Sequence, residues 1–216
     1  MTSPSEQIIG LYTRHAAAWD RRRGKSLFER PWLDRFTALI PPGADVLDLG
    51  CGSGEPMAAH LVGQGFRVTG VDSAPPLIEL CRARFPEHDW RVADMRTLSL
   101  GRGFAGILAW DSFFHLDHGD QRRMFAVFRD HAAPGAALMF TSGPHHGEAI
   151  GEFEGEPLFH ASLAPEEYRD LLSSHGFGVV DHVENDPACG NHTIWLARRM
   201  PDPFSASSAA LREKTP

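Results

Sequence analysis

Val46-Leu47-Asp48-Leu49-Gly50-Cys51-Gly52-Ser53-Gly54 is the stretch that decides the fold, because a short apolar run ends there in three alternate glycines. Val46 to Leu49 read as a buried strand, and the glycines permit a tight turn with positive φ before a helix begins near Glu55. A backbone without side chains lets a ligand approach closely. A pyrophosphate-binding turn has the spacing G-x-G-x-x-G, but Glu55 stands where its last glycine belongs, and the spacing here is G-x-G-x-G.

Asp48 at the mouth of the turn favours a ligand with positive charge over a pyrophosphate. Downstream, Phe66-Arg67-Val68-Thr69-Gly70-Val71-Asp72 reads as a second strand closing on an acid, placed to accept hydrogen bonds from ribose hydroxyls. A nucleoside carrying an ammonium or sulfonium group meets both conditions.

With these residues the chain resembles the class I S-adenosylmethionine-dependent methyltransferases of small-molecule type, in which D-x-G-x-G-x-G and an acid after the second strand bind the cofactor. The resemblance extends from Asp45 to Arg198. It implies a Rossmann-like, mostly parallel seven-stranded sheet with helices on both faces and the last strand antiparallel. It also implies roles. Asp48, Gly50, Cys51, Gly52, Gly54 and Asp72 would surround S-adenosylmethionine, and Trp90-Arg91-Val92-Ala93-Asp94-Met95 matches the segment whose acid and following N–H meet adenine. Ser73 departs from the pattern, since many relatives place an apolar residue against adenine there. Gly106-Ile107-Leu108-Ala109-Trp110-Asp111 matches the fourth strand, whose end, with Trp110, faces the donor methyl and the acceptor.

Residues 1–42 are expected to form a helical cap, residues 43–200 the main domain, and residues 201–216 a flexible tail rich in Ser and Ala. In the cap, Ile8, Leu11, Tyr12, His15, Ala18 and Trp19 fall at helical spacing; a second helix holds Phe28, Trp32, Phe36 and Leu39 and stops at Pro41-Pro42. Tyr12, Trp19 and Trp32 are candidates to wall the donor's methionine end or the acceptor, with core packing as the alternative. Strands near 67–71, 89–92, 104–110 and 136–142 alternate with helices near 55–64, 75–85 and 119–132, the pattern of a parallel sheet. Segment 143–164, with its glycines, is expected as a lid loop. A helix over 164–175 and two strands, 178–184 and 192–198, complete the chain as an antiparallel pair.

The chemistry asks for alignment more than for a nucleophile, because the methyl donor arrives activated. His115, shortly after the fourth strand, is the candidate general base, set against a merely structural role. His145, His146 and His160 fall in the expected lid. Cys189-x-x-His192 supplies only one ligand pair, so no metal is expected. A net charge of −7 argues against nucleic acid, and the Arg21-Arg22-Arg23 run reads as a solvated helix end. Cys51, Cys81 and Cys189 show no paired spacing, which points to the cytoplasm, and no stretch has the length of a membrane span. A small-molecule acceptor is thus the expected partner. A nicotinamide-dependent oxidoreductase and a non-catalytic S-adenosylmethionine-binding module are the rival functions.

Overall fold

The computed structural model describes residues 4–201; all of the expected tail beyond residue 201 lies outside them. In chain order the elements are α1 (Pro4–Arg22), α2 (Arg30–Thr37), β1 (Asp45–Leu49), α3 (Met57–Gly63), β2 (Arg67–Asp72), α4 (Pro75–Arg84), β3 (Asp89–Val92), β4 (Phe104–Ala109), α5 (His118–His131), β5 (Ala132–Ser142), β6 (Gly147–Phe153), β7 (Glu156–Ser162), α6 (Pro165–Ser174), β8 (Phe177–Asp186) and β9 (His192–Arg199). Seven strands form one sheet in the order β3-β2-β1-β4-β5-β9-β8. Strands β1 to β5 pair in parallel, while β9 runs antiparallel to both β5 and β8.

Strand alternation divides the core between the two faces. Leu47, Leu49, Ile107, Leu138 and Phe140 pack on one side with Phe125 and Phe128 of α5 and Tyr168 and Leu172 of α6. Val46, Leu108, Met139, Ile194 and Leu196 pack on the other with Trp32, Leu33 and Phe36 of α2 and Ala58 and Leu61 of α3. Burial of the central strands on both faces is what makes their sequences read as continuous apolar runs.

Two expectations are corrected. The second helix is not part of a cap: α2 lies on the sheet, so close that a Cβ on Gly106 would stand 2.6 Å from Phe36 Cζ. Trp32 accordingly is a core residue, 2% exposed, with its indole N–H donating to Asp186 at 2.8 Å. It walls neither donor nor acceptor. Segment 143–164 is not a structureless loop but the antiparallel hairpin β6–β7, in which Phe153 pairs with Glu156 across Glu154-Gly155. Both turn residues have positive φ, 54° and 79°, as a two-residue hairpin turn requires.

The hairpin rests on α1. Glu156 pairs with Arg14 and His15, Glu154 with Arg22, and Phe153 and Phe159 pack with Ile8 and Leu11. Helix and hairpin together roof the carboxyl ends of the parallel strands.

Candidate functional site

The sheet order reverses direction between β1 and β4, and in open α/β sheets the crevice outside the carboxyl ends at that point binds ligands. A cleft of about 690 Å³, counting its open mouth, lies there, lined by Asp72, Leu77, Asp94, Met95 and Asp111 below and Tyr12 of α1 above. Its size is within the range of about 300–1,000 Å³ usual for small-molecule sites. A smaller, more polar recess continues it, lined by Arg23, Asp48, Glu55 and Trp110. Trp19, Gly50, Gly52 and Asp111 face both.

The glycine turn is built as the sequence indicates. Gly50 has φ +73°, and a Cβ there would lie 2.2 Å from the Cβ of Ser112, whose hydroxyl donates to the Leu49 carbonyl at 2.6 Å. No other residue fits. Gly52, at φ +55°, aims its N–H at Asp72 Oδ2, 2.9 Å away. Gly54 is a packing position instead: a Cβ there would press on Phe85 and Cys81 at 3.2 and 3.3 Å, and it lines neither recess.

Asp72 closes β2 and lines the cleft. Its Oδ2 accepts from Gly52 N–H and its Oδ1 from Ala74 N–H, both at 2.9 Å. Each oxygen retains a lone pair, the arrangement needed to accept from a diol. Burial pushes this carboxyl up from its ordinary range against the pull of those backbone bonds. Asp94 caps the short turn Met95–Thr97 through Arg96 N–H at 2.9 Å. Burial opposes its charge, but the Arg96 guanidinium and N–H outweigh it and hold the carboxyl below its usual range. Ser73, Asp94 and Met95 all line the cleft, together with the apolar side chains of Val71, Leu77 and Ala93.

Asp48 shares the recess face with Trp110, because β1 points it away from Leu47 and Leu49. It is 3% exposed, and burial, with the Asp72 charge beside it, pushes its carboxyl up to about 7. A cation entering the recess would reverse that shift. Trp110 presents a buried indole N–H with no hydrogen-bond partner among the described residues. Across the recess, Arg23 keeps donors beyond those used on Glu29 and the Gly24 carbonyl. An orphaned donor and a guanidinium suit a carboxylate, and the acids Asp48 and Glu55 suit an ammonium. An amino-acid tail fits that donor set. Cys51 also faces the recess, but burial drives its thiol well above the ordinary value, so it is a packing residue and not a nucleophile.

His115 lies in the cleft, as its place after β4 foretold, but both ring nitrogens are engaged. Nδ1 is 2.8 Å from the Phe159 carbonyl, which only accepts, so Nδ1 carries the proton; Nε2 then accepts from the Tyr12 hydroxyl at 3.0 Å. Burial holds the imidazole down to about 4. Such a ring braces Tyr12 and leaves no lone pair for a substrate, so this geometry does not support the expected base role. Of the lid histidines, His160 and His145 both line a separate groove by the hairpin, and the His160 ring lies tilted 4.8 Å from that of His115. His146 stacks on His118 outside the cleft.

Arg23 and His192 escape the sequence reading of the site, and Asp111 enters it only as the end of the fourth-strand segment. Arg23 belongs to a basic run that looks solvated, yet its side chain is only 13% exposed. Asp111 sits where the cleft and recess meet, and His192, from the far end of the chain, reaches its Oδ1 at 2.8 Å. The φ of +49° at Asp111 lies in the left-handed region, which Asp enters more readily than most non-glycine residues but which no local pattern announces here.

The profile of a methyltransferase domain matches residues 46–135, from β1 through the start of β5. An O-methyltransferase of Pyrenophora dematioidea is 26% identical over 179 residues, 75% of this chain and 66% of that protein. Nocamycin O-methyltransferase of Saccharothrix syringae is 37% identical over 73 residues, 32% of this chain and 26% of that protein. The chain thus spans about two thirds or less of the length of these curated relatives. Among solved structures, the 1,6-didemethyltoxoflavin-N1-methyltransferase of Burkholderia thailandensis superposes with a TM-score of 0.70 at 21% identity, covering 93% of this chain and 92% of that one. No helix among the described residues is long and apolar enough to cross a membrane. Residues 46–135 thus match a methyltransferase domain, a match that begins on the strand feeding the glycine turn, and the chain shares the fold of a solved methyltransferase nearly from end to end.

Proposed function

We propose that the protein transfers a methyl group from S-adenosylmethionine to a small-molecule acceptor. The observation that carries this is Asp72, held by two backbone N–H groups where a diol would meet both of its oxygens, between an apolar pocket and a polar recess. Asp94, Met95 and Leu77 would hold the adenine, Asp72 the ribose, and Arg23, Trp110 and Asp48 the amino-acid tail. When bound, the cofactor supplies an activated methyl on a sulfonium that leaves as a neutral thioether.

The protein's own contribution is alignment and exclusion of water, which together can be worth about 7–11 kcal/mol of barrier. Helix α1 and the hairpin β6–β7 form the roof that encloses the acceptor, in place of a mobile loop. The acceptor is a small molecule, as the names of the O-methylating relatives and the N-methylating structural neighbour support, and a net charge of −7 offers no attraction to a phosphate backbone. Three free cysteines agree with action in the reducing cytoplasm.

Calorimetry with S-adenosylmethionine, S-adenosylhomocysteine and a nicotinamide dinucleotide tests the reading. Micromolar binding of the sulfur nucleosides is expected; binding of the dinucleotide alone would overturn it. Transfer of a labelled methyl to a panel of small hydroxyl and amine compounds separates an enzyme from a binding module.

A further inference from the structure

Asp111 leaves β4 in the left-handed region, at φ +49°, a conformation that costs a non-glycine residue energy and recurs where geometry serves function. The strain is held in place from two sides. Asp111 N–H donates to Thr141 Oγ1 at 2.9 Å, and its Oδ1 receives His192 Nε2 at 2.8 Å. His192 is fixed in turn, with Nδ1 2.7 Å from the Cys189 carbonyl and its ring 5.4 Å from that of Trp110. A backbone carbonyl and an ionised carboxylate both only accept, so this geometry requires a proton on each nitrogen of His192. The pair is an imidazolium clamped on a carboxylate.

Oδ2 of Asp111 makes no hydrogen bond among the described residues, and Asp111 lines both the cleft and the recess, with its side chain 22% exposed. His115 and Tyr12 in the same cleft cannot play its part. Both nitrogens of His115 are used, and burial pushes the Tyr12 hydroxyl above its ordinary range.

We propose that Asp111 takes the proton of a hydroxyl or amine acceptor, and that His192 is the residue that positions it. The inference rests on the methyltransferase reading. As the acceptor's oxygen or nitrogen commits a lone pair to the new bond to carbon, the proton on that atom passes to Oδ2; the carboxylic acid so formed returns it to water. His192 keeps its own two protons throughout. Its hydrogen bond fixes which oxygen faces the acceptor. The reaction class follows from this: the acceptor carries an O–H or N–H at the methylated atom.

Burial lowers the proton affinity of His192, but the Asp111 bond and charge, with the Cys189 carbonyl, outweigh it and leave the imidazole above its ordinary value. Tyr12, Glu29, His115, His160 and Cys189 interact electrostatically with the pair, and Arg23, Asp48 and Glu55 line the recess with Asp111. Of these, Glu29 works in the same direction as Asp111 on His192.

The first experiment needs no acceptor. Imidazole nitrogen NMR of the full chain with S-adenosylhomocysteine, assigned by the loss of one ring in His192→Gln, should show His192 doubly protonated at neutral pH. Its titration midpoint should fall by about one unit or more in Asp111→Asn. A His192 that titrates like a free imidazole in both proteins overturns the proposal. The second measures single-turnover methylation of catechol and of benzylamine. Asp111→Asn should be slower by about 10²- to 10⁴-fold with S-adenosylhomocysteine affinity within about twofold of wild type. His192→Gln should lose less and shift the pH profile. Wild-type rates in Asp111→Asn, or affinity falling in step with rate, also overturn it. Failure of the wild-type protein to bind either sulfur nucleoside would sink the methyltransferase reading itself, whereas binding with an unperturbed His192 sinks only the pair.

Discussion

The hydroxyl of Tyr12 on α1 lies 3.0 Å from Nε2 of His115, and the opposite nitrogen of that ring is fixed by the Phe159 carbonyl of β7. One buried imidazole therefore joins the first helix, the turn after β4 and the hairpin. Replacing Tyr12 with Phe keeps the ring packing against Trp19 and Phe153 but strands the His115 lone pair. An unsatisfied buried acceptor costs about 1–3 kcal/mol. The variant should melt lower, by about 2–4 °C per kcal/mol for a chain of this size, as read by calorimetry. An unchanged melting temperature would show that this bond does not hold the roof.

The same ring makes an acid-sensitive joint. His115 is held to about 4, below the ordinary imidazole value of 6.5. Between those two values the unfolded chain binds a proton that the folded chain refuses, so stability is full above pH 6.5 and is lost as pH falls toward 4. The stability difference between wild type and His115→Gln should therefore shrink or reverse on acidification across that window, by up to about 3 kcal/mol. Parallel stability curves from pH 7 to pH 4 would contradict the assignment of a neutral, buried His115.

Asp72 is the residue on which the cofactor reading turns. Asp72→Asn keeps the size and one acceptor oxygen but removes the charge from bonds expected to reach the ribose. Affinity for S-adenosylhomocysteine should drop by about 1.5–3 kcal/mol, roughly 10- to 150-fold, in calorimetry. A loss of less than threefold would take Asp72 out of the ribose site.

How far the sequence reveals this site depends on how local the signal is. The strand from Val46 to Leu49, the glycines and Asp72 follow one another within a single β-α-β unit, so alternation and spacing expose them. The hairpin hides because Gly147, Gly151 and Gly155 imitate a loop, although Glu154-Gly155 between Phe153 and Glu156 is a two-residue turn. Helix α2 reads as amphipathic wherever its apolar face is buried, and nothing in its own residues says whether that face meets a sheet or a cleft. Asp111 and His192 meet only because β9 inserts between β5 and β8, a pairing that no local pattern encodes. Arg23 is misread for a related reason: the end of α1 is exposed at Arg21 and Arg22, and only the third arginine turns inward.

That third arginine yields a test of the recess. Arg23 lines it beside the unpartnered Trp110 N–H, so removing the guanidinium should weaken ligands that carry an amino-acid carboxylate and spare those that do not. For Arg23→Gln, S-adenosylhomocysteine binding should fall roughly tenfold or more, the value of one charge-assisted bond. Adenosine should bind as it does to wild type. Because Arg23 also neutralises the buried Glu29, circular dichroism must first show the variant folded. Equal losses for the two ligands would place the amino-acid tail elsewhere.

Asp48 gives the recess a pH dependence of definite sign. Burial and the neighbouring Asp72 raise its carboxyl to about 7, so at pH 6 most free protein carries it protonated. A ligand bearing an ammonium and a sulfonium binds the ionised form better and lowers that value, so binding expels a proton. Affinity for S-adenosylmethionine should consequently rise as pH increases from 6 to 8, at most tenfold per unit. The calorimetric enthalpy should vary with the ionisation enthalpy of the buffer, in the direction of proton release. The neutral acid also makes the free protein lose stability as pH climbs from its unfolded value near 4 toward 7, so ligand and stability respond to pH with opposite signs. Asp48→Asn should abolish both slopes while leaving the fold intact, since the amide replaces a group already largely uncharged at pH 6. If the variant keeps the wild-type pH dependence of binding, the titrating group is another residue of the recess and Asp48 is only part of its wall.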